Sequence, residues 1–196
     1  MSRKSLSVLT LLGAVLVVFG VWPHRVQPIT SCPEGAELAG SAPPKGREQW
    51  CRKRGPDGTP VRHGPDVTWY DTGQRQMEGT FREGREDGRW TRWYANGRKA
   101  SEGEYREGKR TGRWTFWHAN GQKKEEGEFH DSREDGRWTR WHENGHRLEA
   151  GEYRAGVRQG RWTFWHENGR TEKEGEYRDG LEYGRWTRWN LKGELW

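Results

Sequence analysis

One glycine returns every 24 residues, at Gly64, Gly88, Gly112, Gly136, Gly160 and Gly184. Two more glycine series, Gly73 to Gly193 and Gly79 to Gly175, keep the same period, and no insertion breaks the phase. Tryptophans keep it too. One series is Trp90, Trp114, Trp138, Trp162 and Trp186, and the other is Trp69, Trp93, Trp117, Trp141, Trp165 and Trp189. A strict period of this length marks a repeat array, in which each unit is too small to bury its own apolar face and stacks on its neighbours to do so.

Each unit reads G-R-W-T-x-W-x-x-N-G, then a charged run, then G-E-[YF]-x-x-G. The first half, as in RWTRWY, is Trp-, Thr- and Tyr-rich and has the length of a strand. Asn96-Gly97 and its equivalents are the dipeptide preferred in two-residue hairpin turns, where both residues need positive φ. RKASEGEYR returns as a weaker strand, and EGKRTG turns the chain into the next unit. The fold class expected is therefore all-β: an elongated antiparallel meander of stacked 24-residue β-hairpins, five and a half of them over residues 64–196. A two-residue Asn96-Gly97 loop places Trp90 opposite Gly103, with the ring free to cover the bare glycine. A three-residue loop shifts that pairing. Trp93 has the opposite parity and points to the other face. RWTRW and RWTFW alternate with a period of 48, which reads as duplication of a two-hairpin unit.

The aromatic content decides what the core is made of. From Gly64 onward the large aliphatics are Val67, Met77, Leu148, Val157, Leu181, Leu191 and Leu195, against 14 Trp in the whole chain. The ladder expected to build the fold is the Trp90 series with Tyr105, Phe129, Tyr153 and Tyr177. The Trp93 series, Trp69, Trp93, Trp117, Trp141, Trp165 and Trp189, is the candidate binding face, because a single-layer sheet cannot bury both sides. The net charge of +6 suggests nucleic acid until the chain is divided. Residues 1–63 hold nine Lys and Arg against four Asp and Glu, whereas residues 64–196 hold 26 against 25. A phosphate footprint needs a patch of one sign, so no nucleic-acid partner is expected.

Ahead of the repeats, Arg3 and Lys4 precede an uncharged apolar run over residues 6–22. This is the layout of an export signal within residues 1–24, either a cleaved signal peptide or a helical signal anchor. The basic end would stay in the cytoplasm. The chain would then face the periplasm from the inner membrane, or be secreted if the signal is removed. Residues 25–63 form a Pro- and Gly-rich lead-in with two cysteines, Cys32 and Cys51. In an exported chain these are expected to pair.

The constellations that could carry chemistry do not converge. His118, His142 and His166 share one repeat position, but equivalent strands lie about 10 Å apart, too far for one metal. They read as solvent-facing ladder residues. The glutamate pairs, such as Glu102 and Glu104, recur in most units beside arginines. They read as cross-strand charge ladders, since a catalytic pair is singular and sits in a cleft. No catalytic residues, metal or cofactor are expected.

G-x-W-x-x-[WY]-x-x-N-G followed by G-E-[YF]-x-x-G resembles the MORN-repeat variant over roughly residues 64–196. That repeat occurs in bacterial proteins commonly labelled as the antitoxin component of a YwqK-type toxin–antitoxin system. The resemblance implies β-hairpins in an elongated sheet, protein–protein contacts and contact with membrane lipids. The leading expectation is a non-enzymatic exported protein that offers a β-sheet to a protein partner at the cell envelope. The alternatives are glycan or phospholipid binding through the Trp93 series, and a cytoplasmic antitoxin.

Overall fold

The computed structural model describes residues 27–196. The expected apolar helix over 6–22 lies outside the described residues. Among the described residues, every regular element is a strand. In chain order they are β1 (Glu37–Ser41), β2 (Glu48–Arg54), β3 (Pro60–Trp69), β4 (Arg75–Arg82), β5 (Arg85–Glu86), β6 (Gly88–Trp93) and β7 (Lys99–Arg106). There follow β8 (Lys109–Trp117), β9 (Lys123–His130), β10 (Arg133–Trp141), β11 (Arg147–Arg154), β12 (Val157–Trp165), β13 (Thr171–Arg178) and β14 (Leu181–Arg188). All belong to one open antiparallel sheet whose order follows the chain, with β5 a short piece beside β4. The lead-in supplies β1, β2 and the start of β3, so the sheet begins before the first repeat glycine. Cys32 and Cys51 are bonded, and Cys51 is fully buried on β2.

The turns are reversed from the sequence reading. Tyr94 N–H donates to Arg98 O, and Gly97 N–H donates back to Tyr94 O, which closes a three-residue loop. Only Gly97 has positive φ, at 80°. Asn96 is there for its side chain. Its Oδ1 accepts from Arg98 N–H at 3.0 Å, and its Nδ2 donates to Ala119 O of the next unit at 2.8 Å. The two-residue turns, with both φ positive, lie between units at Glu83-Gly84, Glu107-Gly108, Asp131-Ser132, Ala155-Gly156 and Asp179-Gly180. There the second residue's N–H is held by a carbonyl of the unit before, as in Gly108 to Glu86 O at 2.8 Å.

Trp90 nevertheless pairs with Gly103. A three-residue loop alone would shift the register by one. The pairing runs Arg92 to Ser101 and then Trp93 to Lys99, so a bulge at Ala100 takes up the extra residue. A second irregularity separates the units. Glu102 pairs with Thr115 and Glu104 with Thr111, leaving Gly103 alone against Gly112, Arg113 and Trp114. Gly112 makes this possible with φ of 62°, while a side chain there would meet only open space. The two extra residues carry the Trp114 indole over Gly103, where a Cβ would run into the ring. The glycine is thus covered by the tryptophan of the following unit, not by its hairpin partner Trp90. The same holds for Gly79 under Trp90, Gly127 under Trp138, Gly151 under Trp162 and Gly175 under Trp186.

Candidate functional site

The two faces of the sheet are built differently. On the first face, Phe81, Trp90, Tyr105, Trp114, Phe129, Trp138, Tyr153, Trp162, Tyr177 and Trp186 run edge-to-face in unbroken succession, with centroids 5.0–6.3 Å apart. This geometry suits the ring quadrupoles and adds about 0.5–1.5 kcal/mol per pair beyond area burial. Trp114, Trp138 and Trp162 are 1% exposed although no second layer covers them. Bare glycine lies beneath each indole, and side chains roof it. The Nε1–H of Trp138 donates to Glu128 O at 3.0 Å.

The roof explains the period of 48. Position 110 holds Arg where position 116 holds Phe, and the equivalents alternate with a Glu and Arg pair. Arg110 lies over the rings of Trp114 and Phe116, and Arg158 over those of Trp162 and Phe164. In the intervening unit Arg140 takes the phenylalanine position. It binds Glu134 at 2.5 Å, Glu125 at 2.9 Å, Glu149 and the Tyr153 hydroxyl. Glu149 also receives Arg158 at 2.7 Å. Burial works against the Arg140 charge, but these hydrogen bonds outweigh it and hold the proton more firmly than on an ordinary arginine. Burial pushes the Glu134 carboxyl up against the pull of Arg140. Duplication alone does not account for the alternation. The two residues exchange together in sequence: Glu134 pairs with Arg140 and Glu182 with Arg188, and Arg140 also lies over the Trp138 and Tyr153 rings.

The first unit departs from the ladder. Asp66 stands where the 24-residue register puts Trp90 later, and it is fully buried. Its Oδ2 meets Arg62, which also binds Glu48 at 2.6 Å, while Oδ1 has no partner. Burial pushes the Asp66 carboxyl up to about 6 against the pull of Arg62.

The second face carries Arg, Thr and Trp from each outgoing strand and cations and carboxylates from each return. Trp93, Trp117, Trp141, Trp165 and Trp189 are half-buried. Trp69 is not available as a binding residue. It is 2% exposed, and Gln27 of the lead-in binds its cross-strand partner Arg75 at 2.9 Å. Nor are the rings bare. Lys99 lies over Trp117, Lys123 over Trp141 and Arg147 over Trp165, at 5.6–5.9 Å from the centroids. Glu102 takes Lys99 at 2.7 Å and Arg89 at 3.0 Å, and Glu126 takes Arg113 at 2.6 Å and Lys123 at 2.9 Å. Burial raises both carboxyls, but the paired cations more than offset it, so both sit below the ordinary glutamate value.

At the loop end, the histidines are not solvent-facing. Nε2–H of His118 donates to Trp141 O at 2.9 Å, and His142 and His166 do the same to Trp165 O and Trp189 O. Tyr70 and Tyr94 play that part earlier with their hydroxyls. Among the described residues no group of three or more His, Cys, Asp or Glu could hold a metal ion.

Residues 86–107, 110–131, 134–155 and 158–179 match the MORN repeat variant. Each matched stretch starts and ends at the two-residue turns and contains one complete hairpin with its Asn-Gly loop. The sequence period extends the same pattern to a unit before and a partial one after. No curated protein matches the chain. Among solved structures, a chain of the Glycosylation Associate Protein (Gap123) complex from Streptococcus agalactiae is similar over 60% of this chain and 21% of that one. The identity is 12% and the TM-score 0.32.

Proposed function

We propose that this MORN-repeat chain is a non-enzymatic exported protein that presents the second face of its sheet to a protein partner at the bacterial envelope. The observation behind this reading is the contrast between the faces. The first is closed by rings, glycines and ion pairs. The second keeps half-exposed indoles flanked by Arg, Lys and Thr at a regular spacing, the aromatic and arginine composition favoured in interface centres. Stacking on sugar rings needs bare indole faces, and three of these rings already carry a cation. A protein partner, which can use ring edges and charges together, is the better fit. Export rests on the basic and apolar layout of residues 1–22.

Crosslinking in intact envelopes tests the surface. The Trp117→Ala/Trp141→Ala double variant, shown to be folded by its circular dichroism, should lose the adduct formed by the parent. An adduct of unchanged yield contradicts the reading. Deleting residues 1–22 should move a tagged chain from the envelope to the cytosol. If both forms fractionate as cytosolic, export is wrong and neutralisation of a cytoplasmic toxin becomes the reading to pursue.

A further inference from the structure

The second face is charge-balanced in every matched MORN unit but one. Each return strand places one residue opposite the outgoing threonine: Thr91 faces Glu102, Thr115 faces Glu126, and Thr163 faces Glu174. That glutamate takes the arginine two residues before the threonine. Arg89 goes to Glu102, Arg113 to Glu126 and Arg161 to Glu174 at 3.0 Å. In the first two of these units a lysine from the same return strand closes on the carboxylate from the other side. In the unit over 134–155, Thr139 faces Ala150 instead. Both cation positions are kept, as Arg137 and Arg147, and both side chains are exposed. Arg147 is parked over the Trp165 ring at 5.8 Å, which keeps its guanidinium on this face. Neither arginine has an ion pair within the described residues. Glu152 lies opposite Arg137, but its equivalents Glu104 and Glu128 are also passed over by their arginines. Glu126, across β10, is already held by two cations.

We infer that Arg137, Arg147 and the gap over Ala150 form a receptor for one carboxylate of the protein partner, an acidic side chain that completes the charge pattern from outside. The inference rests on the proposed use of the second face and narrows it to a place and a chemistry. Two guanidinium groups with forked donors suit a carboxylate. The internal glutamates of the neighbouring units show the arrangement that such a side chain would reproduce. Ala150 costs the chain an internal ion pair and leaves the position for the partner, at the unit where Trp141 and Trp165 flank it.

The test titrates the full chain with an acetylated hexaglutamate peptide and follows the indole Nε1–H and arginine Nε–H resonances by NMR. Saturable shifts should be confined to Trp141, Trp165, Arg137 and Arg147. Ala150→Glu, which restores the pattern of the other units and should fold normally, is expected to lower the affinity about tenfold. Arg137→Ala should do the same, and Arg89→Ala should leave binding unchanged. Shifts spread evenly over all units, or unchanged affinity in Ala150→Glu, would overturn the site. Tighter binding of inorganic phosphate than of the peptide would overturn its assignment to a carboxylate. If Ala150→Glu still crosslinks to the envelope partner with unchanged yield, the surface reading stands and the carboxylate receptor falls.

Discussion

Trp138 and Trp141 are three residues apart on one strand, and they teach different things. Trp138 is 1% exposed, lies on the bare Gly127 of the unit before, and meets Phe129 and Tyr153 by its edges. Trp141 is half-buried, meets Lys123 across its ring, and accepts a hydrogen bond from His118 only at its backbone carbonyl. The difference between the faces is not hydrophobicity, since the same side chain serves both. It comes from what stands beneath each ring. Glycine lets one indole lie down on the sheet, and its absence leaves the other standing among charges.

That contrast can be broken in graded steps. Trp138→Ala should cost about 3–5 kcal/mol of unfolding free energy in a chemical melt, as expected for a buried indole with no neighbour able to collapse into its space. Trp141→Ala should cost about 1 kcal/mol or less. Gly127→Ala should cost about 1–3 kcal/mol, because a methyl group enters the space that the Trp138 ring fills. The exchange of roof types is next. Glu134→Arg and Arg140→Phe should each destabilise, but together they convert the unit to the type seen at Arg158 and Phe164. A double-mutant cycle should then show a coupling of at least about 1 kcal/mol, and additivity would remove the account of the 48-residue period.

The first unit responds to pH in the opposite sense to Glu102 and Glu126 of the second face. Asp66 takes up a proton near pH 6 when folded, whereas its ordinary value is 3.8. The folded state therefore binds more protons between those values. Lowering the pH from 7 to 5 should stabilise the fold by about 1 kcal/mol, and Asp66→Asn should flatten that slope. Glu102 and Glu126 lie below their ordinary value, so their contribution is lost only as the pH falls below about 4.5. The smallest effect belongs to Ala155, a non-glycine residue at φ of 51° in a two-residue turn. Ala155→Gly should stabilise by about 0.5–1 kcal/mol in a thermal melt.

Much of this could be read in advance. The glycine and tryptophan periods led to hairpins. The pairing of Trp90 with Gly103 was expected from a two-residue loop, and it holds because the bulge at Ala100 offsets the third loop residue. The turns could not be read, because Asn-Gly suits two geometries. It fits a two-residue turn, and it equally fits a three-residue loop whose last residue alone is left-handed. The second geometry is adopted, and it frees the asparagine amide to tie consecutive loops together. Conversely, Ala155-Gly156 carries no strong two-residue signal. Its conformation is held by the bond from Gly156 to Glu134 O, a contact with the unit before. The glycine under each indole was visible, but the identity of the indole was not. That depends on two extra residues between units, which no local pattern announces. Asp66 and Ala150 also break the 24-residue register, but the sequence reading passed over both, because a single substitution in a repeat gives no sign of whether its surroundings are buried or charged.

The central claim is that one face holds the fold and the other meets the partner. Site-specific photo-crosslinking in intact envelopes tests it most directly, with the probe placed in turn at Thr139 on the second face and at Arg92 on the first. The account predicts a discrete adduct from Thr139 and none from Arg92. An adduct from Arg92 with none from Thr139 would contradict it.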